Sequence, residues 1–398
     1  MSESQAGGAP PSPQTPPQTT LRRRLAELRG PAVPPRAMDA RALAALAANP
    51  GCKRRALLDG AGVDKSTLAS RLGSPAAYGQ SQFAIMRGNA FEAKVKADGG
   101  RELLRLLGVD DAADVLVPDL AAAGPEGRAA RTSLALREAT EAGASGAWTL
   151  LDHPLLALDV AGSPVFLEPD AVVIRPDGRW TVVEIKSFPM VDGSADASKV
   201  GAAARQAAVY VLALERVAAV TGGASVAQSV LLVCPKDFSN LPTGSMVDVR
   251  KQAAVTRRQL ARLTRIEDIA AALPEGLTFD VETCTPEQLA QAVEAVPHAY
   301  APECLAACEL AFHCRERARL AGVVEVLGRS VRGELGGLTT IGAVLDAARG
   351  QDGDAEDPTV AAVRRARALR AEALAAASVP GPMPASGSAS AEGAMACL

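Results

Sequence analysis

Aromatic residues are scarce in this chain: Phe, Trp and Tyr together make up 3% of its 398 positions. So few rings exclude an extended platform on which successive nucleobases stack. Long apolar runs are also missing. No stretch approaches the roughly 20 consecutive apolar residues that a membrane-spanning helix needs, so no membrane partner is expected. Hydrophobic residues reach 48%, yet much of that share is alanine, which packs as small side chains. No apolar core follows the first basic residues, so no secretory signal is visible and the chain is read as cytoplasmic. Global charge is absent too. The formal net charge is −3, so a polyanion has to be held by a local patch or by a metal ion.

The length suffices for a full hydrophobic core and more than one lobe. Residues 1–37 are dominated by Pro, Gln, Thr and Gly, broken by a short basic stretch at 21–29, and read as a disordered arm with one transient helical turn. Residues 38–318 form the main domain, 319–377 a helical extension interrupted by an acidic stretch at 351–357, and 378–398 a disordered Pro/Ser/Gly tail. Within the main domain a helix starts after Asp39, a plausible N-cap, and stops at Asn49-Pro50-Gly51. A second helix spans 81–98 with Phe83, Met86, Ala90 and Val95 on one side, and the alanine-rich segment 101–147 is ambiguous. Strands are expected at 155–160, 165–175, 180–188 and 227–234, with helices at 199–220, 251–273 and 286–296. Pro176-Asp177-Gly178 is a hairpin turn, Pro and Gly each supplying a backbone angle the turn needs. The fold class is therefore α/β.

The informative stretch is Asp170, then thirteen residues, then Glu184-Ile185-Lys186. Strand side chains alternate, so Glu184 and Lys186 share one face, and the hairpin brings Asp170 on the preceding strand beside it. Phosphodiester hydrolysis wants this set. Carboxylate oxygens hold a hard divalent cation, the cation activates a bound water, and an ammonium stabilises developing charge. A bare Asp…Glu-x-Lys pattern also recurs by chance on ordinary surface strands. Two additions weigh against chance: Gln206 and Tyr210, four apart on one helix face, and Glu92 on the upstream helix as a further metal oxygen.

Three of seven cysteines crowd together: Cys304, Cys308 and Cys314. In a chain with no visible export signal such spacing points to metal ligation before disulfides, as an iron–sulfur cluster or zinc. A fourth ligand is needed; Cys52, Cys284 and His313 are the candidates, His313 favouring zinc. Cys234, in its expected strand, reads as a small core hydrophobe.

Taken in order, Cys52, Gly88…Glu92, Asp170, Glu184-Ile185-Lys186, Gln206…Tyr210 and Cys304…Cys308…Cys314 resemble the RecB-like PD-(D/E)xK nucleases with an iron–sulfur clasp. That group includes CRISPR-associated RecB-like exonucleases and AddB-type nuclease domains. The resemblance covers Cys52 to Cys314, about two-thirds of the chain. It implies a restriction-endonuclease-like core, a small mixed sheet flanked by helices, with a helical, cysteine-ligated cluster lobe. It implies Mg²⁺- or Mn²⁺-dependent cleavage of DNA, as an exonuclease on single strands or ends. Glu92, Asp170, Glu184 and Ile185 would be metal-binding positions; Lys186 would assist the nucleophile, and Gln206 and Tyr210 would contact substrate or support the site. The segment Gly51-Cys52-Lys53-Arg54-Arg55 resembles the cysteine-plus-basic stretch of such enzymes. This makes Cys52 the best fourth thiolate for a 4Fe–4S cluster, with zinc as the alternative. Two departures stand out: the upstream helix of such enzymes usually offers a histidine where this chain has Glu92, and the first cysteine gap is three residues instead of the commoner two.

DNA is the expected partner. Lys251, Arg258, Arg262 and Arg265 recur at helical spacing as a candidate phosphate stripe. Lys53-Arg54-Arg55 with Arg315, Arg317 and Arg319 form a second candidate basic surface. The C-terminal helices are candidate docking sites for protein partners. The competing functional reading is a catalytically silent DNA-binding or assembly module that keeps the nuclease fold and the metal cluster.

Overall fold

Two buried stretches of strand set the centre of the fold. Ala171–Ile174 and most of Arg179–Ile185 are buried side chain after side chain, the signature of strands covered on both faces. The computed structural model describes residues 17–76, 82–109, 115–143 and 146–377. The chain divides into two units, residues 1–316 and 317–398.

The first unit opens with α1 (Pro17–Arg29), α2 (Ala40–Ala48), α3 (Lys53–Ala61) and α4 (Lys65–Arg71). The Asp39 carboxylate caps α2 by accepting from the Ala42 amide at 2.7 Å, as expected for an N-cap. The ordered α1 corrects the expectation of a disordered arm over 1–37, of which residues 1–16 lie outside the described ones. Leu25 and Leu28 are buried, and the Leu28 carbonyl accepts from the Phe279 amide at 2.6 Å. A Pro-rich composition hid a short amphipathic helix whose stability comes from tertiary contact.

Next come α5 (Gln82–Lys96), α6 (Arg101–Leu106), β1 (Val115–Leu116) and α7 (Gly124–Ala142). The ambiguous alanine-rich stretch is thus largely helix. On α5 the buried side chains are Phe91 and Val95, whereas Phe83 and Met86 are 73% and 69% exposed, against the expectation of one shared face. The sheet strands follow: β2 (Trp148–Asp152), β3 (Leu156–Val160), β4 (Ser163–Leu167), β5 (Ala171–Ile174) and β6 (Arg179–Ile185). After α8 (Ala197–Ala218) come β7 (Ser225–Val226), β8 (Ser229–Pro235) and β9 (Pro242–Asp248). Helices α9 (Arg250–Leu260), α10 (Ile266–Ala271), α11 (Pro286–Glu294) and α12 (Ala311–Leu320) complete the unit and lead out of it. The second unit contains α13 (Arg329–Glu334), α14 (Ile341–Arg349) and α15 (Pro358–Ala377).

The main sheet is mixed, ordered β1-β2-β5-β6-β8-β9, with β7 also pairing β6; β3 and β4 form a separate hairpin. β5 and β6 are antiparallel, while β6 and β8 are parallel with α8 as the crossover. One face of the sheet, including Val173, Val183, Ile185, Leu231 and Val233, packs on Phe91, Val95, Leu103 and Leu104. The other face is covered by α8, whose Ala203, Ala204 and Ala207 approach Glu184 and Leu232.

One strand expected over 165–175 is two. The chain leaves the β3–β4 hairpin at Leu167, paired with Leu156, and joins the main sheet at Ala171. Pro169 lies in the break; it has no amide hydrogen for a ladder and belongs outside a central strand. That break sets Asp170 at the end of β5, one step beyond the Ala171–Val183 pair.

The β5–β6 turn closes through the Gly178 amide, which donates to the Arg175 carbonyl at 2.9 Å. Gly178 has φ +75°, and an added Cβ would meet the Gly223 carbonyl oxygen at 2.3 Å. Gly178→Ala is therefore expected to cost about 1–2 kcal/mol from its left-handed backbone alone, before the clash. Urea unfolding measures it, and an unchanged midpoint would show that the turn is not under this constraint.

Candidate functional site

Alternation along β6 turns Glu184 toward α8, where its side chain is 1% exposed. Asp170 reaches across from the neighbouring strand end, and its Oδ2 accepts from the Ile185 amide at 2.6 Å. The Lys186 amide donates to the Val233 carbonyl at 2.8 Å, which keeps the chain in sheet register past the end of β6. Its ammonium forms an ion pair with Glu184 and donates to Gln206 Oε1 at 3.3 Å. Gln206 in turn donates to the Tyr210 hydroxyl at 3.2 Å, and that hydroxyl donates to the Glu168 carbonyl at 3.1 Å. The expected helical pair Gln206 and Tyr210 thus ties the lysine to the loop that carries Asp170.

Burial dominates the electrostatics. It pushes the Glu184 carboxyl up to about 7, with Lys186 pulling against it. It raises Asp170 as well, opposed by the Ile185 amide. For Lys186, burial works to lower the pKa, but Glu184 and Asp170 together hold it above the ordinary value. The Tyr210 phenol is pushed upward by burial and by Glu184, so it stays protonated and donates. Apart from the ion pair, neither Glu184 oxygen has a hydrogen-bond partner among the described residues. A carboxylate buried this way is costly unless a cation compensates it, and Lys186 is the cation beside it.

Glu92 has other immediate partners. Lys96, one helical turn on, donates to Glu92 Oε1 at 2.6 Å and to the Asp170 carbonyl at 2.7 Å, and pairs with Asp152 at 2.7 Å. His153 Nε2 stands 3.0 Å from the same Glu92 oxygen. That hydrogen bond and Lys96 hold the Glu92 carboxyl down to about 2 despite burial, and Glu92 raises His153. His153 sits at φ +45°, a backbone state that persists in a non-glycine residue only when its surroundings enforce it. Here the Arg128 guanidinium donates to the His153 carbonyl at 3.1 Å, and the His153 amide donates to the Asp170 carbonyl at 3.3 Å. Sequence reasoning missed Lys96, Arg128, Asp152 and His153. The Glu92–Lys96 spacing was readable as a helical ion pair; nothing local marked the others. Among the described residues, no group of three or more His, Cys, Asp or Glu is arranged to hold a metal ion.

The cysteines gather from far apart in the chain. Cys52 precedes α3 without capping it, and with Cys304 and Cys308 it lines one small cavity that also touches Asn49 and Arg55. The Cys314 sulfur accepts from the Arg54 guanidinium at 3.4 Å, and Cys304 accepts from the Asn49 amide at 3.4 Å. Burial pushes the Cys308 thiol up to about 11 and Cys314 up to about 12, against the nearby arginines; both also feel the charge of Cys52. Of the competing fourth ligands, His313 Nε2 lies 3.0 Å from Glu294, and Cys284 lines a different groove with Pro274 and Gln288. Cys234 is buried in β8 with its thiol raised to about 12 by burial, a core side chain as expected.

Two expected basic surfaces change. Arg54 and Arg55 are 1% and 5% exposed, because Arg54 donates to the Val296 carbonyl and Arg55 pairs with Asp59. They face the interior, not DNA. Lys251 and Arg258 are exposed on α9, but Arg262 and Arg265 follow its end, so the four do not form one helical stripe. Among the described residues no helix is long and apolar enough to cross a membrane.

No protein-family model matches the chain, and no curated protein matches it. A solved structure of a candidate exonuclease from Eubacterium rectale shares 10% identity, covering 65% of this chain and 88% of that one, at a TM-score of 0.30. The structure of the protein SSO0001 shares 10% identity over 61% of this chain and 85% of its own, at a TM-score of 0.20. Superpositions this loose carry no argument about function. The architecture itself is a mixed β-sheet flanked by α-helices.

Proposed function

We propose that the chain is a DNA nuclease of the RecB-like PD-(D/E)xK kind, with a restriction-endonuclease-like core, hydrolysing phosphodiester bonds of single strands or ends. One observation carries the reading: Glu184 is buried next to Asp170 with the Lys186 ammonium as its one partner among the described residues. Two neighbouring carboxylates at the end of adjacent strands offer the hard oxygens that Mg²⁺ or Mn²⁺ prefers. When bound, the cation supplies an activated water and neutralises charge on the phosphate. Asp170, Glu184 and Ile185 would hold it, with Glu92 as a further acidic position. Lys186 orients the nucleophile and opposes the developing negative charge; Gln206 keeps its ammonium in place and Tyr210 anchors the Glu168–Asp170 loop. Cys52, Cys304, Cys308 and Cys314 would hold a 4Fe–4S cluster, or zinc in its place. They join segments some 250 residues apart, a structural clasp with no part in the chemistry.

A second reading is favoured by a specific observation: the described residues contain no group of three or more acids, histidines or cysteines set to hold a metal. It is a catalytically silent DNA-binding or assembly module on the same fold. Incubation of the purified chain with labelled single- and double-stranded DNA and Mn²⁺ separates the two. Cleavage that is lost in Asp170→Asn supports the nuclease. DNA binding without products in Mg²⁺ or Mn²⁺ selects the silent module.

A further inference from the structure

We propose that Phe238, at the tip of the β8–β9 turn, is a contact for an unpaired nucleobase, so that the chain grips single strands in preference to duplex. This rests on DNA being the ligand, which both readings above share.

The turn is built against its own preferences. The Ser239 amide donates to the Lys236 carbonyl at 2.8 Å, and the Lys236 amide donates to the Leu241 carbonyl at 2.8 Å. The two central residues, Asp237 and Phe238, have φ of +48° and +63°. Hairpin turns with positive φ at both central positions are dominated by Gly, Asn and Asp. Asp237 suits its place, and its Oδ1 accepts from the Asp192 amide at 3.0 Å. Phe238 does not, because a bulky side chain in the left-handed region is strained. Nor does its ring gain from burial, since the residue is 80% exposed. Strain of this kind clusters where a chain meets a ligand.

The turn lies at the edge of the sheet that carries the carboxylates. β6 and β8 run parallel, so the chain after Lys186 and the turn after Pro235 leave the same edge. The Lys186 amide bonds to the Val233 carbonyl; four residues on, the Met190 amide bonds to the Pro235 carbonyl, and the Asp237 amide donates to the Met190 carbonyl at 3.0 Å. Four residues of chain reach at most about 14 Å, the length of a few nucleotides at about 3.4 Å each. Lys236 opens the turn as an exposed cation for a phosphate of the same strand.

A second apolar element meets this edge. Helix α5 crosses the strand ends: Lys96 bonds to the Asp170 carbonyl, Glu92 meets His153, and a Cβ added at Gly88 would stand 3.9 Å from the Ser187 hydroxyl. The turn beyond Gly88 carries Phe83 and Met86, both exposed. Among seven phenylalanines, Phe83 and Phe238 are the two exposed ones, and each stands on an element that adjoins residues 187–190. Two rings are too few for a platform under many bases but enough for one or two. Such stacking accepts any base, because every base has a π-face. Inside a duplex those faces are covered by neighbouring pairs, so the rings favour unpaired strands.

Fluorescence anisotropy of the full-length chain in EDTA tests this without cleavage, using labelled oligo-dT, an abasic strand of equal length and a duplex. Wild type is expected to bind oligo-dT more tightly than either comparison. Phe238→Ala should bind oligo-dT roughly 5–150-fold more weakly, the contribution of one stacked base, with its affinity for the abasic strand unchanged. Phe238→Trp should keep the wild-type preference, and Phe83→Ala should show a smaller loss of the same kind. Phe238→Gly should lose the preference while raising the urea midpoint, because glycine adopts the left-handed backbone without strain. Wild-type affinity for oligo-dT in Phe238→Ala and Phe238→Gly overturns the contact and leaves the cleavage test of the proposed function standing. Equal losses on oligo-dT and the abasic strand overturn it as well, as does a dimer in sedimentation that Phe238→Gly dissociates, which would assign the ring to a second copy. Wild type that binds no strand removes the DNA reading beneath it.

Discussion

Lys186→Ala is expected to lower Mn²⁺-dependent cleavage of single-stranded DNA by roughly 10²–10³-fold, about 2.7–4 kcal/mol of transition-state stabilisation. The ammonium is the one cation in contact with Glu184 among the described residues, and Gln206 holds it in place. Truncation removes the charge while leaving every strand hydrogen bond, since Lys186 contributes to the sheet through its amide. The loss should therefore fall on turnover, with an unchanged far-ultraviolet circular dichroism spectrum. Gln206→Ala keeps the ammonium but frees it, so it should cost less. Single-turnover cleavage of an end-labelled strand measures both. Equal product from wild type and Lys186→Ala would remove the catalytic role assigned to this site.

Glu184→Gln should separate stability from activity. Burial raises the Glu184 carboxyl from 4.5 to about 7, so the folded chain binds this proton more tightly than the unfolded chain. Its contribution is fully present below about pH 4 and is lost as pH rises through about 7. A tenfold difference in proton affinity is worth about 1.4 kcal/mol, so the metal-free protein should lose on the order of 3 kcal/mol between those limits. Glu184→Gln, neutral throughout, should lack this loss and be more stable than wild type at pH 8 in a chelator. His153 is also raised, by its bond to Glu92, and adds a loss of the same sign in both proteins. Glu92, held down to about 2, acts only at lower pH. Asp170, raised by burial, adds a further loss of that sign in both proteins. The difference between wild type and variant then reports Glu184 together with Asp170 and Lys186, which are coupled to it. Mn²⁺ should restore wild type at pH 8 and leave Glu184→Gln unchanged. Urea unfolding at pH 5 and pH 8 checks this; parallel pH slopes in the two proteins would show that Glu184 is not the strained group.

These two results bear on one physical situation. A buried acid partnered, among the described residues, by one lysine destabilises the metal-free fold, and under the proposed function a divalent cation would relieve that cost. The lysine offsets part of it and is left beside the place where phosphate charge would build up. The Gln206–Tyr210–Glu168 chain then works at a distance, by keeping the lysine and the Asp170 loop in mutual register.

Local periodicity alone settled several features of this protein. The apolar run of β5, the largely apolar β6, the glycine-bearing turn between them and the alternation that puts Glu184 and Lys186 on one face all act within a few residues. So does the four-residue spacing of Gln206 and Tyr210 on α8, and the close spacing of Cys304, Cys308 and Cys314. Tertiary contact decided the rest, because long polar side chains are placed by partners remote in sequence. Lys53-Arg54-Arg55 reads as an exposed basic patch until Val296 and Cys314, more than 240 residues away, take up the Arg54 guanidinium. Glu92 reads as a candidate metal oxygen on the upstream helix until the residue after β2, His153, closes on it. The helix at 17–29 is tied at its end by the Phe279 amide on the Leu28 carbonyl, and only the separate pairing of β4 and β5 reveals that Pro169 divides one apparent strand and aims Asp170 at the site. Hydrogen-bond geometry between distant segments has no period along a chain, and composition averages it away.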